Sequence, residues 1–129
     1  MVKTKLNTPL EIEEQQALFE WAEWQQAKYP ELETMHHIPN EGKRSISSGK
    51  KLVAAGLKKG VPDIFLPAAK CGCHGMYIEL KRTKGGGPTK EQLWWKDRLI
   101  KQGYYVVICR GWQEAANEIL RYLKGAETK

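Results

Sequence analysis

The sequence predicts an α/β fold: a small mixed β-sheet flanked by helices, in one domain spanning residues 1–129. Two patterns and one size limit lead there. Segments with helical apolar spacing alternate with short apolar runs, in the order helix, strand, short helix, strand, strand, helix, strand, helix. The hydrophobic share of 41% and charged share of 28% are those of a soluble globular chain. A length of 129 residues is enough for one core and too short for two. No internal repeat is present.

The first helix has a clear start. Thr8 is placed to cap, Pro9 suits the first helical position, and Glu11 stands at capping-box spacing. Leu10, Ala17, Leu18, Trp21, Ala22 and Trp24 then recur at helical spacing until Tyr29-Pro30. Residues 35–38 read as a short strand ended by Pro39-Asn40-Glu41-Gly42. Residues 43–51, rich in Ser, Gly and Lys, read as a basic loop, with a short helix over 51–57. Gly60 turns the chain into a strand over 61–66, and the loop 67–75 leads to a second strand over 76–81. Gly85 to Pro88 break the chain. Thr89 caps the next helix, with Gln92 at the capping-box position, and Leu93, Trp94, Leu99 and Ile100 carry it to Gly103. Residues 104–109 form a nearly continuous apolar strand, expected to be buried on both faces. Residues 113–123 form the last amphipathic helix, stopped by Gly125.

Composition narrows the function classes. No apolar run approaches the ~20 residues of a membrane span, so no membrane role is expected. Residues 1–8 contain no apolar leader. An odd count of three cysteines (Cys71, Cys73, Cys109) argues against a disulfide framework. The net charge of +6 favours a polyanionic partner. Lys43, Arg44, Lys50, Lys51, Lys58 and Lys59 precede Asp63, and Lys81, Arg82, Lys84 and Lys90 follow or adjoin Glu79. Cations on both flanks of two acids suit a phosphate backbone.

Those acids are the most informative residues. Asp63 closes Gly60-Val61-Pro62-Asp63, and Glu79 lies in Tyr77-Ile78-Glu79-Leu80-Lys81, both among apolar neighbours. On a strand Glu79 and Lys81 share one face, and a neighbouring strand would bring Asp63 to them. Two carboxylates at one point repel unless a cation lies between them. Their oxygens are hard ligands of the kind Mg²⁺ or Mn²⁺ takes, and the Leu80 carbonyl could add a backbone oxygen. Lys81 could orient a water and offset phosphate charge. An isolated Glu-x-Lys is most often a surface ion pair. The apolar-flanked Pro-Asp before it shifts the reading toward a metal site for phosphodiester hydrolysis.

These residues, in this order, resemble the PD-(D/E)XK nuclease superfamily, and within it the virus-type replication-repair nuclease (VRR-Nuc) family. The resemblance runs through Glu11-Ile12-Glu13-Glu14-Gln15 and Trp21, then His37-Ile38-Pro39-Asn40-Glu41 and Gly60-Val61-Pro62-Asp63. It continues through His74-Gly75, Ile78-Glu79-Leu80-Lys81 and Thr89-Lys90-Glu91-Gln92. It implies a restriction-endonuclease-like, resolvase-like core, metal ligation by Asp63 and Glu79, a catalytic Lys81, an acid on the first helix, and Gln92. The helix acid is open between two residues. Family spacing, with Gln15 four residues on, points to Glu11, whereas helical geometry centres Glu14 on the apolar face. Glu11 and Gln92 each also stand in a capping-box position. The resemblance further implies His37 and Asn40 beside the site, while the placement of charge around the acids makes Lys43, Arg44, Lys50, Lys51, Arg82 and Lys84 the candidate DNA-binding set.

The resemblance implies a Mg²⁺- or Mn²⁺-dependent endonuclease on branched or structured DNA, a Holliday-junction resolvase acting as a homodimer. A flap or single-strand-junction nuclease is the alternative within the enzyme class, and a non-catalytic DNA-binding module the alternative outside it. The cytoplasm of a bacterial or phage-infected cell would suit either. Cys71-Gly72-Cys73-His74 has too short a cysteine spacing for a structural zinc site and no second pair. Trp94 and Trp95 cannot both face inward, so one indole is left to stack on an unpaired base or, the preferred reading, to enter a subunit interface. Gly85 to Gly87 lack the lysine and context of a phosphate-binding loop.

Overall fold

The structure, a computed structural model, describes residues 8–39 and 46–125. Alternation along two strands decides which way the sheet faces. Ile64, Leu66, Met76, Ile78 and Leu80 are buried on one face and Phe65, Tyr77 and Glu79 fall on the other. The strands are β1 (His36–His37), β2 (Ile64–Leu66), β3 (Met76–Lys81) and β4 (Tyr105–Arg110). They lie in the order β1-β2-β3-β4, antiparallel except for the parallel pair β3–β4. The helices are α1 (Glu11–Gln25), α2 (Ile46–Ala54), α3 (Lys90–Lys101) and α4 (Trp112–Lys124), with a 3₁₀ turn at Pro30–Thr34. This is the expected mixed α/β sheet with flanking helices.

The apolar sheet face packs on α1 through Leu18 and Ala22, and on α4 through Ala115, Ala116, Ile119 and Leu123. Burying a residue such as Leu18 or Ile119 contributes about 1.5–3 kcal/mol each, which holds α1 and α4 in place. The buried Tyr122 hydroxyl donates to the Ala68 carbonyl and accepts from the Lys70 N–H, tying the loop before β3 to α4. The opposite face carries an aromatic stack, with Phe65 and Tyr77 centroids 4.4 Å apart and Tyr77 and Tyr104 5.3 Å apart. The crossover helix α3 packs on β4 and has no buried residue of its own.

Several boundaries differ from the sequence reading. Thr8 does not cap α1. Leu10 is its N-cap, and Glu13 Oε1 accepts the Leu10 N–H at 2.9 Å. The Thr8 and Pro9 carbonyls instead accept from the Arg82 guanidinium at 2.6 and 3.0 Å, which draws that segment away from the helix. α2 begins at Ile46, inside the expected loop, and ends at Ala54 rather than Leu57. Gly56 at φ +113° stops it, with the Leu57 N–H returning to the Leu52 carbonyl at 2.9 Å. β2 starts only at Ile64, because Pro62 has no N–H to pair. β4 is buried only at Val106 and Cys109, being the edge strand under a loosely packed α3. Burial pushes the Cys109 thiol up to about 12. Cys71 is exposed and Cys73 half-buried. Among the described residues, no helix is long and apolar enough to cross a membrane.

Candidate active site

The β2–β3 register sets up the site. Ile64 pairs with Ile78 and Phe65 with Tyr77, so continuing the antiparallel register by one residue puts Asp63, just before β2, opposite Glu79. Asp63 Oδ2 accepts the Leu80 N–H at 3.0 Å, which fixes its carboxylate across β3. The Asp63 carbonyl accepts the Ile38 N–H at 2.6 Å and His37 Nδ1–H at 3.0 Å from the β1 side. Asp63 is thus held by strands on both sides.

Glu79 is 3% exposed. Its Oε2 accepts Gln92 Nε2–H at 2.8 Å and lies 3.6 Å from Lys81 Nζ. Its Oε1 is buried with no partner. Burial, and then the neighbouring Asp63 charge, push the Glu79 carboxyl up to about 8, and the Glu11 carboxylate adds to that rise. Burial likewise raises Asp63, against the lowering effect of the Leu80 N–H, His37 and Lys81. Lys81 is 9% exposed beside this pair.

A buried carboxylate oxygen without a partner is costly, and two acids that resist ionising together are stabilised by a cation between them. The donor set therefore fits a hard divalent ion. Among the described residues, no group of three His, Cys, Asp or Glu side chains forms a metal cage. Two carboxylates are what Mg²⁺ commonly takes from protein, with water and phosphate supplying the rest.

Comparison with known proteins agrees with this geometry. The VRR-NUC domain model matches residues 11–113. The chain belongs to the VRR-NUC family. A solved structure described as a "VRR_NUC domain protein" superposes with a TM-score of 0.79 at 25% identity, covering 95% of each chain. Curated proteins give no significant match. The VRR-Nuc assignment gives the chain a nuclease fold, and divalent metal and DNA are what that family points to.

The remaining predicted residues divide within this VRR-Nuc domain. Gln92 has both roles open to it in the sequence: it exchanges capping hydrogen bonds with Thr89 at 2.9 and 3.1 Å and also reaches Glu79. Glu11 is exposed, and its charge acts on Glu79. Glu14 is 5% exposed and has a different partner, its Oε1 accepting the Trp112 N–H at 2.8 Å at the start of α4. Gln15 and His37 line one cleft of about 260 Å³ with Gln16 and Phe19. Lys50, Lys51 and Lys84 are exposed. Arg82 is occupied by the Thr8 and Pro9 carbonyls. Asn40, Lys43 and Arg44 lie outside the described residues. Sequence reasoning missed the Glu14 link to α4, a contact across 98 positions for which no local pattern exists.

Proposed function

We propose that this VRR-Nuc domain is a divalent-metal-dependent endonuclease that hydrolyses phosphodiesters in branched DNA, as a homodimeric Holliday-junction resolvase. The observation that carries the reading is the unpartnered Glu79 Oε1, buried beside Asp63 and Lys81. Asp63 and Glu79, with the Leu80 carbonyl, would hold Mg²⁺ or Mn²⁺. Such an ion, when bound, neutralises phosphate charge and acidifies a coordinated water.

The protein groups have separate tasks. Gln92 locks the rotamer of Glu79 by donating to Oε2, so that Oε1 is the oxygen left to bind. Leu80 N–H holds Asp63 in the same way. The Lys81 ammonium, 3.6 Å from Glu79 Oε2, is the cation beside the pair, placed to orient the attacking water and offset charge on the phosphate. Glu11 is the supporting acid of α1, because Glu14 is already committed to α4. His37 and Gln15 border the same region. Lys50, Lys51 and Lys84, together with Lys43 and Arg44, supply cations for the DNA backbone. Leu93 and Ile100, seven apart on α3 and about half exposed, are a surface a second copy could cover. A two-fold dimer matches the two-fold symmetry of a four-way junction. The setting suggested is the cytoplasm of a bacterial or phage-infected cell.

The test is cleavage of labelled four-way junction, flap, single-strand-junction and linear duplex DNA in Mg²⁺, Mn²⁺ and EDTA, with solution mass measured in parallel. The proposal expects a dimer that cuts the four-way junction in either metal and stops in EDTA. A monomer that cuts only flaps would move the reading to the flap nuclease. Binding without cutting in every metal would leave a non-catalytic module.

A further inference from the structure

One cleft is separate from the carboxylates. It encloses about 580 Å³ and is lined by Lys58, Lys59, Lys90, Glu91, Trp94 and Trp95. We propose that this cleft binds an unpaired nucleotide of the DNA substrate, its base stacked on Trp94 and its phosphates held by Lys58, Lys59 and Lys90. The inference rests on the nuclease reading above and deepens it by naming a nucleotide freed from pairing at the branch point as part of the substrate.

Three observations carry it. The cleft is a built feature that joins two distant segments. Trp95 Nε1–H donates to the Lys59 carbonyl at 3.0 Å, and a Cβ at Gly60 would lie 2.7 Å from Glu91 Cβ. Backbone contact of that closeness requires glycine, and it sets the lysines of the 58–59 turn against the indoles of α3. The chemistry is also paired in the way a nucleotide needs. Three ammonium groups against one carboxylate give the lining a cationic excess beside two indoles. Trp94 is 50% exposed, set edge-to-face with Trp95 at 5.6 Å, and the Arg98 guanidinium lies 4.5 Å from its ring centroid. Arg98, itself paired with Asp97 at 2.8 Å, covers one face of the indole, so the base would stack on the opposite face.

Position is the third observation. Glu91 precedes Gln92, whose amide touches Glu79, and Lys59 is four residues before Asp63. Four residues span at most about 14 Å, so the cleft lies within about four nucleotides of the carboxylates along a strand. A second copy of the chain fits the cleft less well, because lysine is depleted from the cores of protein interfaces.

The experiment measures binding of the full chain in EDTA, where no cleavage occurs. The probes are a short fluorescein-labelled oligothymidylate and an abasic strand with the same phosphates, read by anisotropy. Trp94→Ala is expected to weaken oligothymidylate binding by about 5- to 100-fold and leave the abasic strand unchanged. Trp94→Phe keeps most of the affinity. Lys58→Ala and Lys59→Ala weaken both strands, each lowering the slope of log affinity against log salt by about 0.7. Trp94→Leu serves in place of the alanine variant if circular dichroism shows that one unfolded.

Equal loss on both strands, or no loss, overturns the stacking site. Conversion of a dimer to a monomer by Trp94→Ala overturns it in favour of an interface between copies. A wild-type protein that shows the expected binding pattern yet cuts no DNA removes the nuclease reading and keeps the cleft. One that cuts DNA while its Trp94 variants bind normally removes the cleft alone.

Discussion

Replacing Glu14 separates the structural acid of α1 from the catalytic one. The N-cap of α4 is Gly111, which has no side chain to cap it. Glu14 Oε1 fills that role from another helix, accepting the Trp112 N–H at 2.8 Å in a part-buried position. Losing a cap costs about 0.5–2 kcal/mol, and a hydrogen bond to a charged group about 1.5–3 kcal/mol. These overlap, so Glu14→Ala should destabilise the fold by about 2–3 kcal/mol. For a chain between the small and large domain classes, that lowers Tm by about 6–15 °C. Glu14→Gln keeps the oxygen and loses only the charge–dipole attraction, for about 1 kcal/mol or less. Glu11 is exposed, so Glu11→Ala should stay within about 0.5 kcal/mol of wild type while slowing cleavage. Urea unfolding followed by circular dichroism gives the first quantity. Cleavage assayed well below each Tm gives the second. A Glu14→Ala protein with wild-type unfolding and no cleavage, beside a fully active Glu11→Ala, would refute the assignment and make Glu14 the site acid.

Gln92→Ala removes both the cap partner of Thr89 and the donor to Glu79. It should cost about 1 kcal/mol in urea unfolding and about 10- to 100-fold in Mn²⁺ affinity by titration. Gly60→Ala, at φ +95° and with its Cβ 2.8 Å from the Glu91 carbonyl carbon, should destabilise by about 1–3 kcal/mol or more, read from the urea midpoint. The Glu79 carboxyl rises to about 8 in the fold from an ordinary 4.5, so the fold favours its protonated form. Its contribution to the stability of the metal-free protein is therefore complete below about pH 4.5 and is lost as pH rises to about 8. Glu79→Gln should remove that loss, giving a Tm in EDTA above wild type at pH 9 and a flatter profile between. Parallel Tm profiles for the two proteins would contradict it.

Much of the fold was legible because its signals are local. Alternating apolar residues along 64–66 and 76–81 mark the core face, and Phe65, Tyr77, Glu79 and Lys81 between them fall on the other. Thr89 and Gln92 form a cap readable within four residues, as they do in the structure. Asp63, Glu79 and Lys81 stood out because ionisable groups are unusual in apolar strands, and the register then brings them together. What stayed hidden depends on distant partners. The start of α1 is decided by Arg82, 74 positions from Thr8, and the role of Glu14 by Trp112. The early start of α2 was hidden by Ser and Gly, whose weak helix preference reads as loop. An apolar run such as 104–109 does not reveal that its strand lies at a sheet edge.

Cleavage of a four-way junction by wild type and Asp63→Ala in the same Mn²⁺ buffer tests the central claim most directly. The account predicts metal-dependent cutting by wild type and a loss of at least about 10²-fold in Asp63→Ala, with junction binding retained. Equal rates for the two proteins, or no cutting by wild type in Mg²⁺ or Mn²⁺, would contradict it.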